Sequence, residues 1–466
     1  MSPPDADESR SSRELSAFDL GCVVIGGIIG IGIFFTPGTV ARRVDSSNEM
    51  LLAWGLGGVL AVLGALTFAD LAARVPGHGG IFRYLHTAFG RLPAFLFGWA
   101  NWLVVQAGAL TVVALLFVEH VERAVFGEPV CTPQQRVWIA AASIAFLTAT
   151  NLMSLRVGKR VQNALVIAKI AAISLLVVAA VVATGHPVET ALPTPNGGSL
   201  WSRLASAMLP VLFAIGGWQQ GSFVAGAARR PQRDVPLGIL LGVAVVIAVY
   251  FAINLAYLSL LGFDGARSTS AIGADAAQKA LGQGGQQVFA AMVAISAAGI
   301  MNTICMAPPY VLLAMAEEGL FPRIFAYRSP RLRTPVFGVL GQGLWAVLLL
   351  LLVHAVSLAN ASPGDDAGKV TFATLDFVCD SVVFVDWLVF MLCGFALLRL
   401  RRSGPPSPLR LPGIGVAALL FAFSAMAVAV GAIAQKPLPS AVGAVIVLLG
   451  IPASRWLRPA DAGARR

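Results

Sequence analysis

Two glycine-rich stretches place free backbone groups, rather than ionisable side chains, in position to bind a small charged molecule. The first, LGCVVIGGIIGIGIFFTPGTV at residues 20–40, contains the glycines Gly26, Gly27, Gly30 and Gly32. Each glycine costs a helix about 1 kcal/mol relative to alanine, so the helix is predicted to break near Gly30–Gly32. A second half-helix from Ile33 would offer free N–H groups and a positive dipole end, which together can capture an anion. The alternative is a kinked, continuous helix whose glycines only allow close packing.

The second stretch is FAIGGW at residues 213–218, which again has a glycine pair inside an apolar segment. The half-helix before it is predicted to end near Phe213–Ile215 with free carbonyl groups, which accept a cation. Two interrupted segments, five apart in order, indicate two inverted halves whose breaks meet at a binding site. N–H donors at one break and carbonyl acceptors at the other complement a zwitterionic amino acid. Alternatively, Gly216 and Gly217 mark only a tight helix crossing.

Several ionisable side chains lie inside apolar segments, where a charge is costly unless it is paired. Lys169 is deep in the fifth segment, and its ammonium is predicted to reach the carbonyl groups exposed by the first break. The alternative is that Lys169 snorkels to the nearer membrane surface. Asp376 and Asp380, four apart on one helix face, could bind a basic substrate side chain or carry a proton. They could equally be hydrogen-bonded structural acids.

The composition indicates that these residues belong to a membrane protein. The chain has 466 residues, of which 57% are hydrophobic and 12% are charged, a balance that excludes a soluble globular class. Apolar segments long enough to cross a bilayer recur along the chain, so we predict an all-α polytopic membrane protein with about twelve transmembrane helices. The segments are roughly 20–41, 51–73, 93–118, 137–153, 161–184, 204–227, 236–261, 287–315, 335–357, 372–398, 412–433 and 438–456.

The placement of the cations predicts an orientation. The net charge is +10, and the arginines concentrate in the even-numbered connections, for example at residues 229–233 and 399–410. This positive-inside asymmetry predicts cytoplasmic termini and leaves nucleic-acid binding with no support. No histidine, cysteine or carboxylate cluster has metal-ligand spacing, and no nucleophile–base pair is visible. We therefore expect neither an enzyme nor a cofactor or metal.

Eight stretches carry a family resemblance. They are GGIIGIGIFFTPG (26–38), ADLAARVPGHGG (69–80), FGRLPAFLFGW (89–99), RVQNALVIAK (160–169), FAIGGW (213–218), AGIMN (298–302), AEEGLFP (316–322) and RTP (333–335). In this order and spacing, the chain resembles the amino acid–polyamine–organocation superfamily, and within it the L-type amino acid transporter (light-chain) family. The resemblance runs from about Leu15 to Leu457.

The resemblance implies a fold of two inverted five-helix repeats, with broken first and sixth helices, plus two extra helices. The corresponding ranges are a disordered tail at 1–19, a single transporter domain at 20–457 and a tail at 458–466. Within the domain, the repeats cover about 20–184 and 204–400, and the extra helices cover about 412–456.

The resemblance also implies roles for particular residues. The substrate carboxylate would bind at Gly30, Ile31 and Gly32. The amine would bind the carbonyl groups that the two breaks expose, at Ile28, Phe213, Ala214, Ile215 and Gly216. The ring of Phe213 would act as a lid over the substrate. Lys169 would stand where related sodium-driven transporters hold a cation, which makes it a candidate coupling residue.

Some positions depart from the family pattern. An acid is common where this chain has Gly226 and Ala227, and an arginine is common where it has Tyr310. If those groups normally pair at the cytoplasmic gate, both partners are absent here. His78 lies in a connection on the same side and is expected to be solvated. Cys131 lies in an outer connection where some relatives link to a heavy-chain glycoprotein, but we do not expect that link here.

The sequence thus predicts a plasma-membrane amino acid transporter that works by alternating access. Neutral amino acids, moved by sodium-independent exchange or proton-coupled uptake, are the favoured substrates. One alternative is a transporter of cationic amino acids or polyamines that uses the aspartates of the tenth segment. Another is a transporter-like receptor that binds amino acids but does not cycle, because the gate pair is missing.

Overall fold

The computed structural model describes residues 14–184, 198–269, 271–329, 331–332, 334–360, 367–409 and 411–457. The side chains of residues 184, 360 and 367–380 lie outside the described part. Asp376 and Asp380 therefore belong to a described helix, but their side chains, with the predicted substrate or proton role, fall outside it. Most of the two predicted tails, residues 1–13 and 458–466, also lies outside the described residues.

The described residues form an all-α bundle, so the predicted fold class is confirmed. Eleven of their helices are long and apolar enough to cross a membrane, and a bent pair of shorter helices makes a twelfth span. The arrangement of these spans as two inverted repeats stays a prediction.

The helices of the first half are α1 (Ala17–Ile28), α2 (Gly32–Ala41), α3 (Ser47–Arg74), α4 (Ile81–Phe89), α5 (Arg91–Ala100), α6 (Ala107–Phe126), α7 (Pro133–Met153) and α8 (Leu155–Thr184). A π-helical segment, Asn101–Gln106, joins α5 to α6 within one continuous span. The helices of the second half are α9 (Leu200–Ile215), α10 (Gln220–Phe223), α11 (Pro231–Ser268), α12 (Ile272–Leu281), α13 (Gly285–Met306), α14 (Pro309–Glu317), α15 (Val336–Asn360), α16 (Ala367–Ser403), α17 (Ile414–Gln435) and α18 (Pro437–Trp456). Short 3-10 turns occupy Ala225–Ala227 and Arg323–Ala326.

The first span begins inside the segment predicted as a tail. Ser16 caps α1, because its hydroxyl accepts the Asp19 N–H and the Asp19 carboxylate accepts the Ser16 N–H at 2.9 Å. Just before the cap, the Leu15 N–H donates to the Ala227 carbonyl at 2.9 Å. These contacts fix the entry of the chain against the sixth span.

Both predicted breaks are present. In the first span, α1 ends at Ile28 and α2 begins at Gly32, one residue earlier than predicted, with a 48° bend between them. In the sixth span, α9 ends at Ile215 and α10 begins at Gln220. Gly217 in the second break has a φ of +125°, a conformation that strongly favours glycine over residues with a Cβ. The kinked-helix alternative therefore does not hold for the first span, and the glycine pair of the sixth span marks an interruption of the helix rather than only a tight crossing.

The first break lies at the seam between two hydrophobic cores. The larger core includes buried side chains of α1, α2, α9 and α11, and the smaller one includes those of α6, α7, α13 and α15. Ile31 packs against both cores. The non-helical backbone is thus surrounded by protein, the setting in which a membrane span tolerates it.

Candidate functional site

The two breaks contact each other directly. A Cβ placed on Gly32 would lie 3.1 Å from the Cα of Ala214, so only glycine fits there without displacing the sixth span. On the other side, a Cβ on Gly217 would overlap the Gly27 carbonyl and lie 3.0 Å from the Ile28 nitrogen. The glycines at both breaks therefore let two interrupted backbones approach within van der Waals contact.

The first break presents unused N–H donors. The Ile29 N–H completes the last turn of α1 by donating to Ile25 at 2.8 Å, and the Phe34 N–H donates to Ile31 at 3.1 Å. Between them, the N–H groups of Gly30, Ile31 and Gly32 donate to no carbonyl in the described part of the chain. They stand at the start of α2, where the helix dipole is positive, so the arrangement can bind a carboxylate.

Tyr250 joins the carbonyl ends of the two breaks. Its hydroxyl, 1% exposed with the rest of the side chain, lies 2.9 Å from the Ala214 carbonyl and 3.1 Å from the Ile28 carbonyl. Tyr250 was not among the predicted site residues, and no local signal separates it from Tyr257 in the same apolar segment. The carbonyl groups of Phe213 and Gly216 accept no hydrogen bond from the described residues, so they remain available to an ammonium group.

Lys169 reaches the first break from α8. Its side chain is 1% exposed, and its Nζ lies 2.6 Å from the Ile29 carbonyl and 3.5 Å from the Ser296 carbonyl. The Ser296 hydroxyl lies 3.1 Å from the same Ile29 carbonyl. A Cβ on Gly299 would lie 2.8 Å from Nζ, so this glycine makes room for the ammonium. The side chain therefore points into the bundle rather than snorkelling, while its coupling role stays a prediction.

Two apolar side chains bound the site. The side chain of Phe213 is 53% exposed, so its ring is not packed tightly over the breaks in this conformation. On the opposite break, a Cβ on Gly30 would overlap Cδ1 of Ile300. The lid role of Phe213 remains an expectation, whereas a side chain at Gly30 would require Ile300 to move.

His78 is buried, contrary to the sequence expectation. Its side chain is 7% exposed and its ring stacks on Tyr310 with centroids 4.7 Å apart. A Cβ on Gly226 would come within 2.6 Å of the same ring. Burial, together with the positive charges of Arg328 and Arg83, lowers the pKa of His78 well below its usual range, so the ring is neutral.

The two positions that lack the family's acid and arginine thus touch one imidazole ring. Gly226 leaves space for the ring, and Tyr310 supplies a flat aromatic partner. Beside them, the Gly79 N–H donates to the Phe223 carbonyl at 2.9 Å. Neutral packing therefore occupies the positions at which the family resemblance implies charged groups.

Other predicted side chains lie apart from the breaks. Cys131 is a free, partly exposed cysteine whose N–H donates to the Glu122 carboxylate at 3.1 Å. Asp70 pairs with Arg74 at 2.8 Å. Within the described ranges, no three histidine, cysteine or carboxylate side chains are grouped so that they could hold a metal ion.

The sequence of this chain is similar to a protein family and to several individual proteins. The profile of the amino acid permease family matches residues 15–451. The b(0,+)-type amino acid transporter 1 of Mus musculus is 27% identical over 397 residues, which cover 84% of this chain and 77% of that protein. The cystine/glutamate transporter of Homo sapiens is 26% identical, covering 97% of this chain and 86% of its own length. The Asc-type amino acid transporter 1 of Homo sapiens is 28% identical, with coverages of 97% and 83%.

Proposed function

The chain belongs to the amino acid permease family, and from this premise we propose that it is a secondary active transporter of amino acids that works by alternating access. The observation that carries the proposal is the contact between the two breaks. Unused N–H donors at Gly30–Gly32 and unused carbonyl groups at Phe213 and Gly216 are complementary to the two charges that every amino acid shares.

Neutral amino acids are the proposed substrates. Gly216 contributes no side chain at the second break, and Ile31 and Ile300 are the apolar side chains that pack at the first. Among the described residues around the breaks, Lys169 is the basic side chain that hydrogen-bonds the site backbone. An arginine or polyamine substrate would need a counter-charge, for which the aspartates at 376 and 380 are the candidates.

Counterflow in proteoliposomes tests this function. Vesicles loaded with one unlabelled amino acid should accumulate labelled neutral amino acids, and lysine, arginine or putrescine should compete weakly. Strong competition by the cationic compounds, lost in Asp380→Asn, would favour the cationic alternative. Binding without counterflow for any amino acid would favour a non-cycling receptor.

We further propose that the protein lies in the plasma membrane with both termini in the cytoplasm and needs no heavy-chain partner at Cys131. The arginines at 229–233 and 399–410 support this orientation. In a cysteine-free background, Arg230→Cys and Arg402→Cys should resist impermeant thiol reagents applied to intact cells. Glu128→Cys, in an odd-numbered connection, is the matched control and should react. The reverse labelling pattern would overturn the orientation.

A further inference from the structure

A short π-helical segment interrupts the third span. Residues Asn101–Gln106 form it between α5 and α6, and π-helical turns of this kind are rare and frequent at functional sites. The wide turn is supported from outside, because the indole N–H of Trp345 donates to the Leu103 carbonyl at 2.8 Å. The π-helical segment is therefore stabilised by a hydrogen bond from a side chain of α15.

The π geometry brings two buried amides together. In an α-helix, residues five apart point about 140° away from each other, whereas the wider π turn returns to nearly the same side after five residues. Asn101 and Gln106 are five apart, each is 3% exposed, and the Gln106 Nε2 donates to the Asn101 Oδ1 at 3.0 Å. The π segment thus aligns the side chain of Gln106.

Gln106 in turn holds Gln220. The Gln220 Nε2 donates to the Gln106 Oε1 at 3.2 Å, which extends the amide chain from the third span to the sixth. Gln220 is the first residue of α10, directly after the second break, and its side chain is buried. The chain Asn101–Gln106–Gln220 therefore ends at the site rather than in the general core.

Gln220 touches the second break and the end of α1 that leads into the first break. Its own N–H donates to the Gly217 carbonyl at 3.2 Å, which closes the turn of the second break. Its side chain packs into the space beside Gly27 in α1, where a Cβ would lie 2.9 Å from the Gln220 Cγ. The Gln220 Oε1 is buried and has no partner among the described residues. A buried acceptor without a partner is costly unless something satisfies it.

We propose that Gln106 and Asn101 are positioning residues of the transport site, which fix the Gln220 amide so that its Oε1 accepts a hydrogen bond from the bound amino acid. This inference rests on the proposed function and adds a side-chain contact to a site otherwise built from backbone groups. The π segment exists, on this account, to present Gln106 to the half-helix that follows the second break. The bond from Gln106 to Gln220 also links the first half of the chain to the second.

Methionine variants test the proposal without a large change in packing, because methionine is close to glutamine in length and has no amide. Gln106→Met should raise the KM for counterflow about five- to ten-fold, the effect of losing about one well-placed hydrogen bond, and change the maximal rate by less than about three-fold. Gln220→Met should raise the KM by a similar factor. The double variant should be no worse than Gln220→Met alone, because Gln106 acts through Gln220.

Measurements of thermal stability distinguish a positioning role of Gln106 from a purely structural role. Gln106→Met leaves the Gln220 donor buried and unpaired, so the Tm should fall, and the double variant should recover part of that loss because neither partner is then orphaned. The KM should stay raised in the double variant. A KM that returned to normal together with the Tm would overturn the proposal, as would a normal KM in folded Gln106→Met or strictly multiplicative effects in the double variant.

A second buried amide pair supplies the control. The Asn151 Nδ2 donates to the Asn302 Oδ1 at 2.9 Å, and Asn151 makes no contact with either break in the described part. Asn151→Leu should lower the Tm but leave the KM unchanged. Substrate-induced shifts of the Tm measure binding independently of transport. A protein that binds amino acids but shows no counterflow would contradict the transport proposal. The effect of Gln106→Met on these shifts would still test the role of Gln106 in binding.

Discussion

Replacing Lys169 by alanine is expected to lower the rate of amino acid counterflow about ten-fold or more. The ammonium lies 2.6 Å from the Ile29 carbonyl in a side chain that is 1% exposed. Alanine leaves that carbonyl with the Ser296 hydroxyl as its remaining side-chain donor. A hydrogen bond from a charged group contributes about 1.5–3 kcal/mol, which corresponds to about 10- to 140-fold. Initial rates in proteoliposomes, normalised to reconstituted protein, measure the effect.

A second cation on the same helix provides the control. Arg160 is exposed and lies one turn inside the start of α8. Arg160→Ala removes a positive charge from the same element without touching either break, so its rate should stay within about two-fold of the unmodified protein. Equal losses in the two variants would mean that the charge of α8 matters only for folding or insertion.

The same contact predicts independence from sodium. The ammonium already provides a positive charge at the carbonyl end of the first break, where a cation would otherwise bind. Replacing sodium by choline should therefore leave uptake unchanged in the unmodified protein. If Lys169 also carries the proton that couples transport, Lys169→Ala should lose the pH response of the unmodified protein. Strict sodium dependence, or full activity with an unchanged pH response in Lys169→Ala, would refute the role.

The two breaks could be predicted from the sequence because their causes are local. Clustered glycines weaken a helix wherever it folds, and the predicted starts and ends differ from the structure by at most one residue at Gly32 and Ile215. The need of Lys169 for a partner could also be predicted, because an ammonium so deep in an apolar segment is costly, whereas the choice of the first break as that partner rested on the family resemblance.

Contacts between distant segments could not be read in this way. Nothing near Tyr250 in the sequence reveals that its hydroxyl meets two carbonyl groups, since both lie in other spans. The π segment has no periodicity that distinguishes it from an α-helix over six residues. The burial of His78 could not be predicted for a related reason. Its connection is polar, but the ring stacks on Tyr310 and occupies the space that Gly226 leaves.

The missing gate residues take on a different meaning in the structure. From the sequence, the absence of an acid at 226–227 and of an arginine at 310 predicts the loss of a closing contact. Instead, both positions pack against His78, and an acid at 226 would have to displace its ring. The two departures from the family pattern therefore belong to one packing contact around His78.

The largest effect is expected from leucine at the first break. In Gly30→Leu the new Cβ would overlap Ile300, and in Gly32→Leu it would lie 3.1 Å from the Cα of Ala214. Leucine at 32 would press against the second break, and leucine at 30 would press against Ile300 of α13. Either side chain would also crowd the N–H groups that are proposed to face the substrate. We expect counterflow to fall by at least about 100-fold, with substrate-induced thermal shifts lost as well, because binding itself fails.

Gly431 is the matched control. It lies within the apolar helix α17, and a Cβ there would meet no atom within 4 Å. Gly431→Leu makes the same chemical change inside a span and should leave both counterflow and the KM within about two-fold of normal. A large loss in this variant would show that leucine in place of a span glycine impairs insertion in general.

Substrate analogues test the same N–H groups without any mutation. Three donors at the positive end of α2 favour an anion, so removing the negative charge of the substrate should remove most of the binding energy that they supply. Two lost charge-assisted hydrogen bonds amount to about 3–6 kcal/mol, so methyl esters and amides of a transported amino acid should compete at least about 100-fold more weakly than the free acid. Amino alcohols, which keep the amine and lose the carboxylate, should behave in the same way. Esters that compete as well as the free acid would show that the first break does not hold the carboxylate, even if Gly30→Leu is inactive.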